Sequence, residues 1–181
     1  LHPITTFMLP RISEKVAQNE RTLFTFISGQ EATTLSGALK MLDGAFPLVT
    51  PDALYDYFAP QMRKEVYNSE IHQLYRLVSG ILVKFDANSL HAKIVKSIAL
   101  IYCLGQFERL APTVDTMISI YADDEITAEQ IKDTIVDLVQ KQCVVYLKRS
   151  NAYLKLKESS GFDVYSAISD VVQKRKGSMT A

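Results

Sequence analysis

The sequence predicts a mainly α-helical protein with one small β-hairpin near its end. Apolar residues recur at three- and four-residue steps over most of the chain before residue 142, which is the period of amphipathic helices. Two short β-prone runs follow at 143–147 and 152–156, and the polar turn 148–151 separates them. With 48% hydrophobic and 22% charged residues among 181, the composition is globular and excludes a disordered or fibrous chain.

The first expected domain is a helical subdomain that covers residues 1–88. It starts with two apolar-periodic stretches, 4–17 and 19–27. We expect a kink or a short break at Pro10, because a proline inside a helix removes a hydrogen bond. A connector rich in Ser, Thr, Gly and Pro follows at 30–51, and its final Thr-Pro pair is typical of a helix start.

The longest helix that we expect runs over 62–85. Its apolar side chains recur at helical steps and predict one buried stripe, which consists of Ile71, Leu74, Tyr75, Val78 and Leu82. The polar segment 86–89 breaks this pattern. We therefore place a domain boundary there.

The second expected domain, 89–158, contains three helices and then the hairpin. The first two helices are predicted at 93–104 and 113–121, and the third begins at Thr127, which is followed three residues later by a glutamine, as in a capping box. This order of elements is that of a winged helix-turn-helix. An amphipathic helix and a basic tail are expected over 159–181.

Charge, hydropathy and cysteine content limit the classes of partner. Twenty Lys and Arg residues balance twenty Asp and Glu residues, so net charge does not indicate a nucleic-acid partner. No apolar run approaches the roughly 20 residues that span a bilayer, so we expect a soluble chain and no membrane partner. Cys103 and Cys143 lie in apolar segments without C-x-x-C spacing, which favours buried thiols in a reducing cytoplasm.

Motifs for catalysis and metal binding are absent from the sequence. It contains neither a phosphate-binding glycine loop nor the G-x-S-x-G or H-E-x-x-H patterns. His2, His72 and His91 stand at no ligand spacing, and His72 is interpreted as a residue on the flank of its helix. We therefore assign no catalytic residue, no metal and no cofactor to this chain, and we expect that the chain alone is not an enzyme.

The aromatic group Tyr55, Tyr57 and Phe58 allows two interpretations. Such rings can stack on nucleic-acid bases, but no basic cluster accompanies them before Arg63-Lys64. We therefore favour a role in the core or in an interface, as is usual for aromatic side chains. Tyr102 and Tyr121 are interpreted in the same way.

The most specific segment lies within the first 27 residues. The chain opens with Leu1-His2-Pro3, without an initiator Met or a signal peptide, so we interpret it as part of a larger protein. Gln18, Asn19, Glu20 and Arg21 then directly precede the apolar pair Leu23-Phe24. A His-Pro opening and a downstream Q-x-x-R helix resemble the region after the nucleotide-binding core in large bacterial P-loop ATPases of the AAA+/STAND type, including phage-defence ATPases.

This resemblance implies a set of roles and partners. Residues 1–88 would form a lid over the nucleotide, with Arg21 as the nucleotide-sensing arginine, and His2-Pro3 would be the hinge from core to lid. Gln18, Asn19 and Glu20 would orient the helix or contact a neighbouring subunit. ATP and Mg²⁺ would be bound by the parent protein, because this chain lacks the P-loop and the Walker B acid. Its partners would be the ATPase core of the same polypeptide and a protein partner.

Two functions of different classes are therefore expected. We favour a non-catalytic regulatory fragment of a bacterial P-loop ATPase, which couples nucleotide state to a protein partner. The alternative is a winged-helix DNA-binding or transcription-regulatory module with a helical dimerisation region. From Asp123 to Lys141 the sequence carries six carboxylates and two lysines, which is the wrong sign for DNA. Nucleic-acid contacts would then fall to Lys148 and Arg149 in the turn of the hairpin, or to the basic tail.

Overall fold

The computed structural model describes residues 1–17, 20–41, 48–147 and 152–157. The predicted C-terminal helix and the turn residues Lys148 and Arg149 lie outside these residues. The described part is mainly α-helical with a two-stranded hairpin, as the sequence predicts. Its elements are α1 (Pro3–Ile12), a π-helical turn (Ser13–Ala17), α2 (Glu20–Ser28), α3 (Leu35–Met41), α4 (Pro51–Lys64), α5 (Glu70–Leu82), α6 (Leu90–Leu104), α7 (Val114–Tyr121), α8 (Ala128–Gln140), β1 (Val144–Leu147) and β2 (Tyr153–Leu156).

Short polar side chains begin most of these helices. In α5, α6, α7 and α8 the capping hydroxyl accepts a hydrogen bond from a backbone N–H in the first turn, and these caps are Ser69, Ser89, Thr113 and Thr127. The capping box predicted at Thr127 is confirmed, because the Gln130 side chain also accepts from the Thr127 N–H. Gly105 ends α6 with φ +70°, the left-handed conformation that favours glycine at this position.

The single helix predicted over 62–85 is wrong. The structure has two helices there, because α4 ends at Lys64 and α5 begins only at Glu70. Glu65 is extended, with ψ 158°, and Ser69 caps the new helix. Val66 and Tyr67 continue the apolar pattern across the gap but are exposed to 74% and 64%. The longest described helix is instead α6.

Of the kink or short break predicted at Pro10, the break is wrong. Helix α1 continues through Pro10 to Ile12, and the irregular turn comes afterwards, as the π-helical segment Ser13–Ala17. The Pro10 ring is exposed, so the helix accommodates it at the loss of one backbone donor. A π-helical turn is wider than an α-helical one.

The hairpin and the three helices before it pack together in the predicted order. Strands β1 and β2 are antiparallel, with Val144 opposite Leu156 and Leu147 opposite Tyr153. Helix α8 packs on α6, α7 and β1, and β2 packs on α6. The Leu154 N–H also donates to the Pro112 carbonyl at 2.7 Å, which ties the hairpin to the segment before α7.

One apolar core joins the described elements on both sides of residue 88. Helix α6 lies against α1, α4 and α5 as well as α8 and β2, and it is buried on nearly every face. The same cluster contains Met8, Phe58, Val78, Ile131 and Leu154, which come from five different elements. The boundary at residue 88 stays a prediction, but the two parts share this core.

Candidate functional site

The outer face of α8 is the part of the predicted winged helix whose chemistry the structure describes best. The amphipathic period turns Ile131, Ile135 and Leu138 into the core, so the positions between them face solvent. The exposed side chains on this face are Glu129, Gln130, Lys132, Asp133, Val136 and Gln140. This face therefore carries two carboxylates and one lysine, and it also exposes the apolar side chain of Val136.

Asp137 extends the acidic character of α8 towards α6. Its Oδ2 atom lies 2.8 Å from Nε2 of His91 and also accepts a hydrogen bond from Lys141, one turn further on. These partners, first of all the Lys141 ammonium, lower the pKa of the Asp137 carboxyl below its usual range. The carboxylate thus stays ionised at neutral pH and holds the start of α6 against the end of α8.

Of the four nucleotide-sensing residues predicted near the N-terminus, two lie outside the residues that the structure describes. Gln18 and Asn19 fall between the described segments, and Glu20 and Arg21 are described only as the start of helix α2. Their sensing roles stay predictions. The aromatic prediction is better defined, because Tyr55, Tyr57 and Phe58 are all buried and are confirmed as core residues.

His2, one of the predicted hinge residues, is held on both sides of its ring. Its Nδ1 accepts from the Ile4 N–H at 3.1 Å, which caps α1, and its Nε2 lies 3.0 Å from the Ser119 carbonyl in α7. The His2 N–H also donates to the Val49 carbonyl at 3.0 Å. Pro3 then takes the first helical position. The hinge role stays a prediction, and the described contacts fasten this end of α1 to α7.

A partly buried polar network between α4, α6 and α7 has no counterpart in the sequence prediction. Lys96, only 6% exposed, donates to Oδ2 of Asp56 at 2.8 Å. Nearby, the Tyr121 hydroxyl lies 2.6 Å from Oγ of Ser97 and 3.1 Å from Oδ1 of Asp52. A lysine and a serine inside the apolar run of α6 are the sequence feature that could have predicted this network, because buried polar groups need hydrogen-bond partners.

These polar groups are arranged to join helices rather than to react. Burial raises the pKa of the Asp56 carboxyl, which the Lys96 ammonium opposes, and burial also raises the pKa of Tyr121 well above its usual value. The Tyr121 hydroxyl additionally lies 2.9 Å from the Lys93 carbonyl. Its hydrogen-bonding capacity is therefore used within the core.

Both cysteines are buried free thiols, as predicted. Burial raises the pKa of Cys103 to about 11 and also raises that of Cys143, so neither is a ready nucleophile. His72 lies on the flank of α5, with Nδ1 3.1 Å from the Arg63 carbonyl. Within the described ranges, no group of three His, Cys, Asp or Glu side chains could hold a metal ion.

The structure therefore defines a mainly helical protein with a small hairpin, a partly buried polar network and an acidic outer helix. No helix in the described part of the chain is long and apolar enough to cross a lipid bilayer. No family model matches the chain, and no curated protein and no solved structure matches it either.

Proposed function

We propose that this chain is a non-catalytic regulatory module that binds protein through a winged helix formed by α6, α7, α8 and the hairpin. The packing of α8 on α6, α7 and β1 supports this assignment, because the third helix of such a module is held by the two before it and leaves one face free. That free face is the surface available to a partner.

The charge of the α8 face is the observation that carries the choice of protein over DNA. A helix that enters the major groove approaches phosphates, and Lys and Arg side chains supply most of the non-specific affinity. Here Glu129 and Asp133 are exposed beside a single Lys132, and Asp137 is held ionised. The exposed Val136, at 48%, adds an apolar contact of the kind that protein interfaces use.

We further propose that the module belongs to a P-loop ATPase and couples its nucleotide state to a partner. The support is the resemblance of residues 1–27 to the region after an ATPase core. In that arrangement ATP and Mg²⁺ bind to the core of the same polypeptide, and Arg21 contacts the nucleotide. A guanidinium suits this task because it stays charged and can hold a phosphate bidentately.

The choice between protein and DNA is tested by fluorescence anisotropy with duplex DNA at about 50 mM salt, which exaggerates electrostatic binding. We expect no saturable binding at protein concentrations up to about 10 µM, a concentration that lies within the range of Kd values typical of non-specific DNA binding. Submicromolar binding that is lost in Lys132→Glu would overturn the proposal. Binding lost only in the double variant Lys148→Glu/Arg149→Glu would also overturn it, in favour of a DNA-binding module that uses its wing.

The coupling to ATP turnover is tested in the full-length polypeptide with Arg21→Ala. We expect turnover to fall tenfold or more, about 1.4 kcal/mol in the barrier, because the variant removes charge stabilisation at the transferring phosphoryl group. The melting temperature of the chain should stay within a few degrees of the parent. Unchanged turnover with a clearly lower melting temperature would assign Arg21 a purely structural role.

A further inference from the structure

A groove of about 950 Å³ opens where the two predicted domains meet. Its walls come from α5 and the segment just before it, from the end of α6 with Tyr102 and Cys103, from Lys15 in the π-helical turn and from Lys155 in β2. None of its described lining residues belongs to α8. The groove is thus a second surface, separate from the face used in the proposed function.

The charge of the groove differs from that of the chain. Three cations line it, Lys15, Arg76 and Lys155, against one carboxylate, Glu70, whereas the whole chain is neutral. No ion pair in the described part of the chain involves these three cations. An excess of positive charge without a carboxylate partner attracts an anionic ligand.

Two of the three cations are held in place by neutral groups. Nζ of Lys15 donates to the carbonyls of Cys103 and Leu104, at 2.9 and 3.1 Å, and the ammonium retains a third donor. The Arg76 guanidinium donates to the Tyr67 hydroxyl at 2.9 Å and lies 5.2 Å from the centre of that ring. Both charges are therefore positioned without being neutralised, which lowers the cost of ordering them around a ligand.

The rest of the groove indicates what kind of anion fits. Ile71, Leu74 and Leu77 supply an apolar strip along α5, and Asn68 and Gln73 supply amides beside it. The groove is open, and its described lining contains no glycine that could bring a backbone close to a phosphate. The Tyr67 ring is already covered by Arg76 on one face, which leaves less of it for stacking on a base.

We propose that this groove binds an acidic peptide segment of a partner protein, in which carboxylates alternate with apolar side chains. The carboxylates pair with Arg76, Lys155 and the free donor of Lys15, and the apolar side chains lie on the α5 strip. Arg is suited to this pairing because its planar fork matches a carboxylate. A bound segment would contact both predicted domains at once.

The test is fluorescence anisotropy of the intact chain with a short fluorescein-labelled peptide that alternates glutamate and leucine, at about 50 mM salt. We expect saturable binding with Kd in the range of about 10–100 µM. Arg76→Glu and Lys155→Glu should each weaken binding about tenfold. Lys40→Glu makes the same change of charge at an exposed lysine on α3, outside both the groove and the α8 face, and it should leave Kd within about twofold.

Several results would overturn the proposal. These are the absence of saturable binding, an equal loss of affinity in Lys40→Glu and Lys155→Glu, or displacement of the peptide by inorganic phosphate or ATP at similar concentration, which would indicate a small-anion site. Concentration-dependent self-association that is abolished by Lys155→Glu would instead assign the groove to a second copy of this chain. Lys155 is exposed on β2, so its variant is expected to fold, and circular dichroism checks both variants.

Discussion

His2 shows how one side chain can fix both a helix start and a protonation state. A backbone N–H only donates and a carbonyl only accepts, so the contacts with Ile4 and Ser119 place the ring proton on Nε2 and leave Nδ1 bare. Protonation of Nδ1 would set a second N–H against the Ile4 N–H. The neutral ring is therefore the form that the fold accommodates.

This arrangement predicts a pH dependence of stability. Burial lowers the pKa of His2 from its usual 6.5, so the unfolded chain binds the proton more readily. The free energy of unfolding should fall as pH drops below about 6.5 and level off below the lowered pKa. His2→Asn keeps a capping oxygen but does not titrate.

Urea unfolding at about pH 7 and pH 5 measures the effect. The loss of stability between these two pH values should be smaller in His2→Asn than in the unsubstituted chain. Because one proton is involved, the difference between the two losses should be at most about 1.4 kcal/mol per pH unit. Equal losses in both proteins would show that the folded state accommodates the charged ring. His72 and His91 are present in both proteins and cancel in this comparison.

At the scale of elements, local chemistry explains which predictions hold. The capping box at Thr127, the left-handed Gly105 and the two β-prone runs are local features, so the sequence alone predicts where α8 starts, where α6 ends and where the strands form. Helix α6 starts at Leu90 rather than at the predicted residue 93. His91 stacks on Phe85 at 4.9 Å and pairs with Asp137, and these tertiary contacts help to hold the first turn of α6 in place.

The helix predicted over 62–85 is wrong because the prediction depended on the period of the apolar residues alone. Val66 and Tyr67 keep the helical period although they lie in an exposed break, and only the Ser69 cap, a single hydroxyl, marks the new start. The acidic face of α8 could be predicted because one helix carries it. The groove could not, since Lys15, Arg76 and Lys155 are far apart in sequence and only the tertiary fold brings them together.

At the scale of the molecule, the central position of α6 bears on the predicted division at residue 88. This helix packs on α4 and α5 from one side of the boundary and on α8 and β2 from the other. The buried Lys96 ammonium of α6 pairs with Asp56 of α4, so the contact across the boundary is polar as well as apolar. A shared core of this kind favours a single cooperative unfolding transition.

Removing the Asp56 carboxylate tests that cooperativity. Asp56→Ala leaves the Lys96 ammonium buried without its partner, and we expect a loss of about 2 kcal/mol. This lies below the range for fully buried pairs because the Asp56 side chain is 45% exposed and water can partly replace it. Asp133→Ala removes an exposed carboxylate on α8 instead, and should change stability by no more than about 0.5 kcal/mol.

Hydrogen exchange under increasing urea, followed by mass spectrometry, measures the protection of backbone amides in separate peptides. Peptides from α4 report on the part before residue 88, and peptides from α8 report on the part after it. If the shared core makes them one unit, Asp56→Ala should lower the protection of both helices by the same free energy, although only α4 carries the substitution. Protection of α8 that persists after α4 has exchanged would show that the two sides unfold independently, with a boundary near residue 88. If α4 and α8 lose the same protection free energy, the two parts unfold together. A ligand that binds across the groove should then stabilise the whole described core rather than one half of it.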